Sequence, residues 1–156
     1  MRAAISTLIL STVFAFALGA EKRSNNPVGV VNGFFSAFGK GDLPGVIGSF
    51  HENASITAVR KASRKTGELY GSYSGKKGAE EFVTNLGKTF NTKEFVVENV
   101  IGNKDVVFAN GRFKHELKST GRMYESNWAL KCIVKDGKIL EYVFYEDTSS
   151  FDIANR

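Results

Sequence analysis

The sequence predicts an α+β fold on two observations: apolar residues recur at helical spacing in its first half, and every segment after Asn91 has β character. In "VGVVNGFFSAFGKGD", Val30, Val31, Phe34, Phe35 and Phe38 recur at steps of three and four, which predicts a helix with one apolar face. Asn26 followed by Pro27 supplies its cap and first residue. Gly39 and Gly41 end it, and Asp42 caps a second short helix through "LPGVIGSF". Residues 53–60, "NASITAVR", alternate loosely and predict a strand. "KASRKTGELYGSYSG" reads as a long loop or an irregular hairpin. In "KKGAEEFVTNLGKTF" the residues Ala79, Phe82, Val83, Leu86 and Phe90 share a face, the mark of a third helix. Four runs rich in Val, Ile, Phe and Tyr follow: "KEFVVENVIG", "DVVFANGRFKHELK", "RMYESNWALKCIVK" and "GKILEYVFYED". The turn signals Gly102-Asn103-Lys104, Ser119-Thr120-Gly121 and Asp136-Gly137 separate them. Helices come first and an antiparallel meander second.

The 156 residues fit one domain, and 42% hydrophobic with 24% charged residues is ordinary globular composition. "MRAAISTLILSTVFAFALGA", residues 1–20, has the layout of a secretory signal peptide: one charge at Arg2, an apolar run, and small residues at the end. Cleavage after Gly19 or Ala20 is expected, with an uncut membrane anchor as the alternative. The chain then divides into the signal at 1–20, a linker at 21–27, the folded domain at 28–151 and a tail at 152–156. The expected location is secreted or periplasmic, with no membrane association once the signal is removed.

The net charge of +5 comes from cations scattered among acids, which reads as solubility with no nucleic-acid partner expected, a basic nucleic-acid face being the lesser alternative. Cys132 is the single cysteine, so no internal disulfide and no cysteine metal site is available. His51 and His115 lie on separate segments and form no metal-ligand cluster. "GSYSGKKG" matches no phosphate-binding or dinucleotide loop, and no cofactor is expected. Asn53-Ala54-Ser55 is an N-glycosylation acceptor pattern in a eukaryotic host.

Alternation along the strands assigns faces. Tyr124, Ser126, Trp128, Leu130, Cys132 and Val134 point one way, with Glu125, Asn127 and Lys131 opposite. Val107, Ala109, Gly111, Phe113, His115 and Leu117 form another inward set, which places His115 among apolar neighbours. In the last strand Val143, Tyr145 and Asp147 share one face, while Leu140, Tyr142, Phe144 and Glu146 share the other. Both faces carry large apolar groups, so helices would cover one and a second subunit the other. Glu141 is awkward in this counting and calls for a bulge or a place beyond the covered area.

The segments "VVNGFFSAFGKGDLPGVIGSFHENASI", "YGSYSGKKGAEEF" and "STGRMYESNWALKCIVKDGKILEYVFYEDT" resemble the SnoaL-like branch of the nuclear transport factor 2 superfamily, which includes ketosteroid isomerases and polyketide cyclases. The resemblance spans roughly residues 28–151 and rests on an ordered combination: "GD" between two helices, "G-x-Y-x-G" before the third, then "TGR", "DGKI" and "Y-x-D". It implies a cone-shaped, curved mixed or antiparallel sheet wrapped around the helices, a pocket at the open end, and a homodimer packed sheet to sheet. It implies function less narrowly, because one fold hosts enzymes, binders and interaction modules.

The related cyclases and isomerases use a pocket carboxylate as general base, removing a proton beside a carbonyl. Asp147 matches the acid of "Y-x-D" and is the expected base; the alternative is that it caps the strand end or accepts backbone hydrogen bonds in the turn through Thr148. His115 is its expected partner, donating to an enolate oxygen or relaying a proton, with a plain core histidine as the alternative. Trp128, Tyr124 and Tyr145 would form an aromatic wall for a flat or sterol-like ligand, with Phe113 also in contact and Tyr70 and Tyr73 lining the mouth. A small apolar or aromatic ligand is thus the expected partner. The tyrosine and protonated aspartic acid that serve as oxyanion donors in ketosteroid isomerases find no assignable pair here. Three readings stay open: an enolisation-type isomerase or cyclase, a non-catalytic binder, and a dimeric interaction module.

Overall fold

The computed structural model describes residues 26–156; the signal segment and the linker up to residue 25 lie outside the described residues. Helix α1 spans Pro27–Gly39, and the Asn26 side chain accepts a hydrogen bond from the Val28 amide at 3.1 Å, as the Asn-Pro start requires. Helix α2, Leu43–Gly48, is capped in the same way by Asp42. Strand β1, Phe50–Ala58, begins three residues earlier than the alternation suggests, because α2 stops short at Gly48. A strap of residues 59–70 leads to a short edge strand β2, Gly71–Ser74, and to α3, Gly75–Thr89. The long strands β3 (Phe90–Asn103), β4 (Val106–Leu117), β5 (Met123–Lys135) and β6 (Lys138–Glu146) then run back and forth. A last short helix α4, Thr148–Ala154, closes the chain where the sequence reading continued its domain only into a tail.

The six strands form one curved, unclosed mixed sheet in the order β2-β1-β6-β5-β4-β3. All neighbours are antiparallel except β1 and β6, which run parallel, and that pairing sets β6 near the middle of the sheet. At the β5–β6 turn, Asp136 and Gly137 both adopt positive φ, +50° and +69°, between the paired Lys135 and Lys138. That is a type I′ hairpin, the turn expected from Asp-Gly.

The concave face of the sheet carries the inward sets read from alternation, and Val107, Leu117, Leu130 and Cys132 are each at most 1% exposed. A bulge between Ile133 and Val134 resets the phase of β6, so Ile139 takes the buried place assigned to Leu140. Glu141 consequently faces outward, where its carboxylate accepts a hydrogen bond from Lys131 at 2.7 Å. Helices α1 and α3 fill the concavity with rings. Tyr142 contacts Phe34, Phe50 and Phe82 at centroid distances of 5.6 to 5.7 Å, and Trp128 stacks on Phe95 at 5.0 Å. Gly111 makes that stack possible: a Cβ there would lie 2.8 Å from the Trp128 ring and 1.9 Å from the Val96 carbonyl oxygen. Ring-to-ring packing of this kind adds roughly 0.5–1.5 kcal/mol per pair beyond the area buried.

Candidate active site

A small cavity, about 50 Å³ in volume, remains between the sheet and the helices. Six phenylalanines from α1, α3 and the strands, Phe34, Phe38, Phe82, Phe90, Phe95 and Phe144, line it together with aliphatic side chains. Its polar groups are Glu146, Tyr70, Tyr142 and His115. The phase of β6 explains the acid: Tyr142, Phe144 and Glu146 alternate onto the concave face, and Glu146 is the last of the series.

The Tyr70 hydroxyl donates a hydrogen bond to the Glu146 carboxylate. Burial in apolar surroundings disfavours the carboxylate and pushes Glu146 up to about 7, against the opposing pull of the Tyr70 and Tyr124 hydroxyls. Glu146 is therefore poised to gain or lose a proton near neutrality. Burial first, and then the charge of Glu146, raise Tyr70 far above the ordinary tyrosine range, so it stays a donor. Tyr70 comes from the end of the strap, and its ring sits edge-on to Phe151 of α4 at 4.7 Å. Beside it, the Tyr124 hydroxyl donates to the backbone carbonyl of Asp147 at 3.0 Å.

His115 enters the cavity from β4 and is 4% exposed. Its ring lies between those of Phe90 and Phe113, stacked at 4.6 and 4.1 Å. Burial lowers it to about 4, so the imidazole is neutral at physiological pH, and its Nδ1 is buried with no hydrogen-bond partner. Among the described residues, no three His, Cys, Asp or Glu side chains gather as a metal site would require.

Of the residues singled out from sequence, the cavity receives His115 and Tyr70. Asp147 is not in it. Alternation carries Asp147 to the opposite side from Glu146, where it is exposed and caps α4, accepting from the Ser149 amide at 2.9 Å and the Ser150 hydroxyl at 2.6 Å. Those bonds hold its carboxyl below the usual range, the reverse of what a base in an apolar pocket shows. Tyr145 likewise faces outward and is 51% exposed, so it takes no part in the wall of this cavity. Trp128 and Phe113 are buried one layer behind the cavity, packed on Phe95 and His115 respectively. Tyr124 is buried beside Glu146 without lining the cavity, and Tyr73 is tied to the strap, its hydroxyl donating to the Leu69 carbonyl at 2.6 Å. The acid that the sequence reading passed over is Glu146, although period-two counting already grouped it with Tyr142 and Phe144.

The chain matches the SnoaL-like domain family over residues 31–142. It belongs to that family. No match is found among curated proteins. Solved structures share the SnoaL-like fold at low identity. A nuclear transport factor 2-like protein from Burkholderia xenovorans superposes with a TM-score of 0.71 at 21% identity, covering 83% of this chain and 95% of the other. A candidate polyketide cyclase from Pseudomonas putida gives 0.69 at 15% identity, covering 80% and 94%. A candidate SnoaL-like polyketide cyclase from Mesorhizobium loti gives 0.62 at 19% identity, covering 74% and 95%. At these identities the likeness establishes the fold of a SnoaL-like domain and leaves its chemistry to its own residues.

Proposed function

We propose that this SnoaL-like protein is an exported, cofactor-free enzyme of the enolisation type, with Glu146 as its proton-transfer group. The observation that supports this most is a half-buried carboxyl group that lines an apolar cavity and accepts from a tyrosine hydroxyl, surroundings that push it up to about 7. In the proposed step Glu146 removes a proton from the carbon beside a ligand carbonyl. The C–H electron pair becomes the new C=C bond, and the carbonyl oxygen takes the negative charge. As Glu146 gains the proton it needs the Tyr70 bond less, which frees that hydroxyl to turn toward the enolate oxygen. Return of the proton to another carbon or to the oxygen completes an isomerisation; attack of the enolate on a second carbonyl would complete a cyclisation. The kinship with candidate polyketide cyclases agrees with this class of chemistry.

The signal-like layout of residues 1–20 supports export, which is checked by the N-terminal mass of the secreted chain. The convex face of the sheet carries exposed Ile101, Phe108 and Tyr145, which supports a homodimer packed through that face.

The test is deuterium uptake next to the carbonyl, followed by NMR in heavy water across ketones from acetone to a tetracyclic steroid ketone. The wild type is expected to accelerate exchange of at least one of them. Glu146→Gln is expected to lower that rate by about 100-fold, within the range of general-base contributions. Asp147→Asn retains it, since Asn also caps a helix. Undiminished exchange in Glu146→Gln contradicts the assignment.

A further inference from the structure

The sequence reading expected a flat or sterol-like ligand, and the cavity argues for something much smaller. Its 50 Å³ compares with about 150 Å³ for an engineered apolar cavity that takes benzene. The interlocked rings around it leave little slack: Tyr142 is held by Phe34, Phe50 and Phe82, and Phe95 is wedged against Trp128. Charge narrows the choice further. The lining contains no lysine or arginine, so an anion would meet Glu146 with no counter-charge. A cation would have to be desolvated against a carboxyl that is already occupied by Tyr70. Finally, the cavity has a polar group besides Glu146 and the two tyrosines. His115 is clamped between two rings and its buried Nδ1 lacks a partner, a condition rare enough in native interiors to call for one.

We infer that the natural ligand is a compact, uncharged carbonyl compound of about four or five non-hydrogen atoms, with one oxygen for the Glu146–Tyr70 end and a second polar atom for His115. The inference rests on reading this cavity as the ligand site, and it concerns binding, independent of turnover. Hydroxyacetone has the required size and two oxygens; acetone has one. Acetate, isopropylammonium and a steroid ketone probe negative charge, positive charge and bulk.

The experiment is equilibrium titration of the purified protein with each of these five compounds. Imidazole NMR resonances serve as the readout, that of His115 being assigned by its loss in His115→Phe. Hydroxyacetone is expected to bind about fivefold more tightly than acetone, the worth of one added hydrogen bond, and to shift the His115 resonance. In His115→Phe, which keeps the stacked ring and deletes its nitrogens, the two ketones should bind alike. His115→Leu, which also lacks a polar side-chain atom, serves the same purpose should the phenylalanine variant fail to fold. Saturable binding of the steroid, the acetate or the ammonium overturns the inference, as does an unchanged preference in the His115 variants or no binding of hydroxyacetone. If hydroxyacetone binds as expected but shows no deuterium uptake, the ligand class stands and the enolisation reading fails. If only larger ketones exchange, the enolisation reading stands and the ligand class fails.

Discussion

Half-buried Glu146 and buried His115 are titratable groups with opposite effects on stability. Glu146 moves from an ordinary 4.5 to about 7 on folding, so the folded state keeps a proton that the unfolded state has lost. Its contribution therefore falls as pH rises from 4.5 to about 7, by at most about 3 kcal/mol. His115 moves down from 6.5 to about 4, so the unfolded state binds the extra proton, and stability falls as pH drops from 6.5 to about 4. The two windows overlap and the slopes oppose each other, leaving the wild type with a shallow profile across them. Single variants should separate the effects in chemical denaturation from pH 4 to 8. Relative to wild type, Glu146→Gln gains stability toward pH 8, and His115→Phe gains it toward pH 4. Identical pH profiles for all three proteins would contradict both burials. Sequence alternation placed His115 correctly because its strand is regular and its neighbours on one face are uniformly apolar. It did not choose between Glu146 and Asp147, since both faces of β6 carry large apolar side chains and only the packing of α1 and α3 decides which face is concave.

The strap between β1 and β2 is the element with the most unusual backbone. Val59 sits at φ +68°, costly for a β-branched residue, at the point where the strap leaves the sheet and lines the cavity. Its amide donates to the Phe144 carbonyl at 2.9 Å. Further along, Arg64 pairs with Glu81 of α3 and lies 3.6 Å from the centroid of the Tyr73 ring, its side chain only 11% exposed. The strap's last residue is Tyr70, so its anchoring sets the position of the hydroxyl on Glu146. Arg64→Ala removes both the ion pair and the ring contact. We expect amide exchange at Ala62 and Ser72, whose bonds tie the strap to itself and to β2, to speed up at least about tenfold, with no change at Leu130 in the core. Uniform rates would mean that the strap is held elsewhere. This region reads only as a loop or irregular hairpin because its order comes from a half-buried arginine, from side-chain bonds such as those of Tyr73 and Asn85 to strap carbonyls, and from backbone bonds, none of which leaves a periodic trace. Helix α4 escaped notice for a related reason: it is seven residues long and owes its start to the Asp147 cap.

At the scale of the molecule, the meander and helix order were legible because hydrophobic period and turn chemistry agreed along the chain. Cavity size was not, since it depends on how rings from five or more elements interlock. The outer face of the sheet remains apolar toward its β3 edge, with Ile101 69% and Phe108 56% exposed on paired strands. If a second copy covers it, sedimentation of the wild type shows a dimer, and Phe108→Glu shifts the species to a monomer at the same concentration. A wild type that sediments as a monomer at high micromolar concentration removes the sheet-packed dimer. The central claim concerns one carboxyl group inside this fold. Its most direct measurement is the pH titration of the Glu146 side-chain carbon by NMR, assigned by its disappearance in Glu146→Gln. A midpoint near 7 is the expected result; a midpoint near the ordinary 4.5 would show a solvated acid and contradict the account.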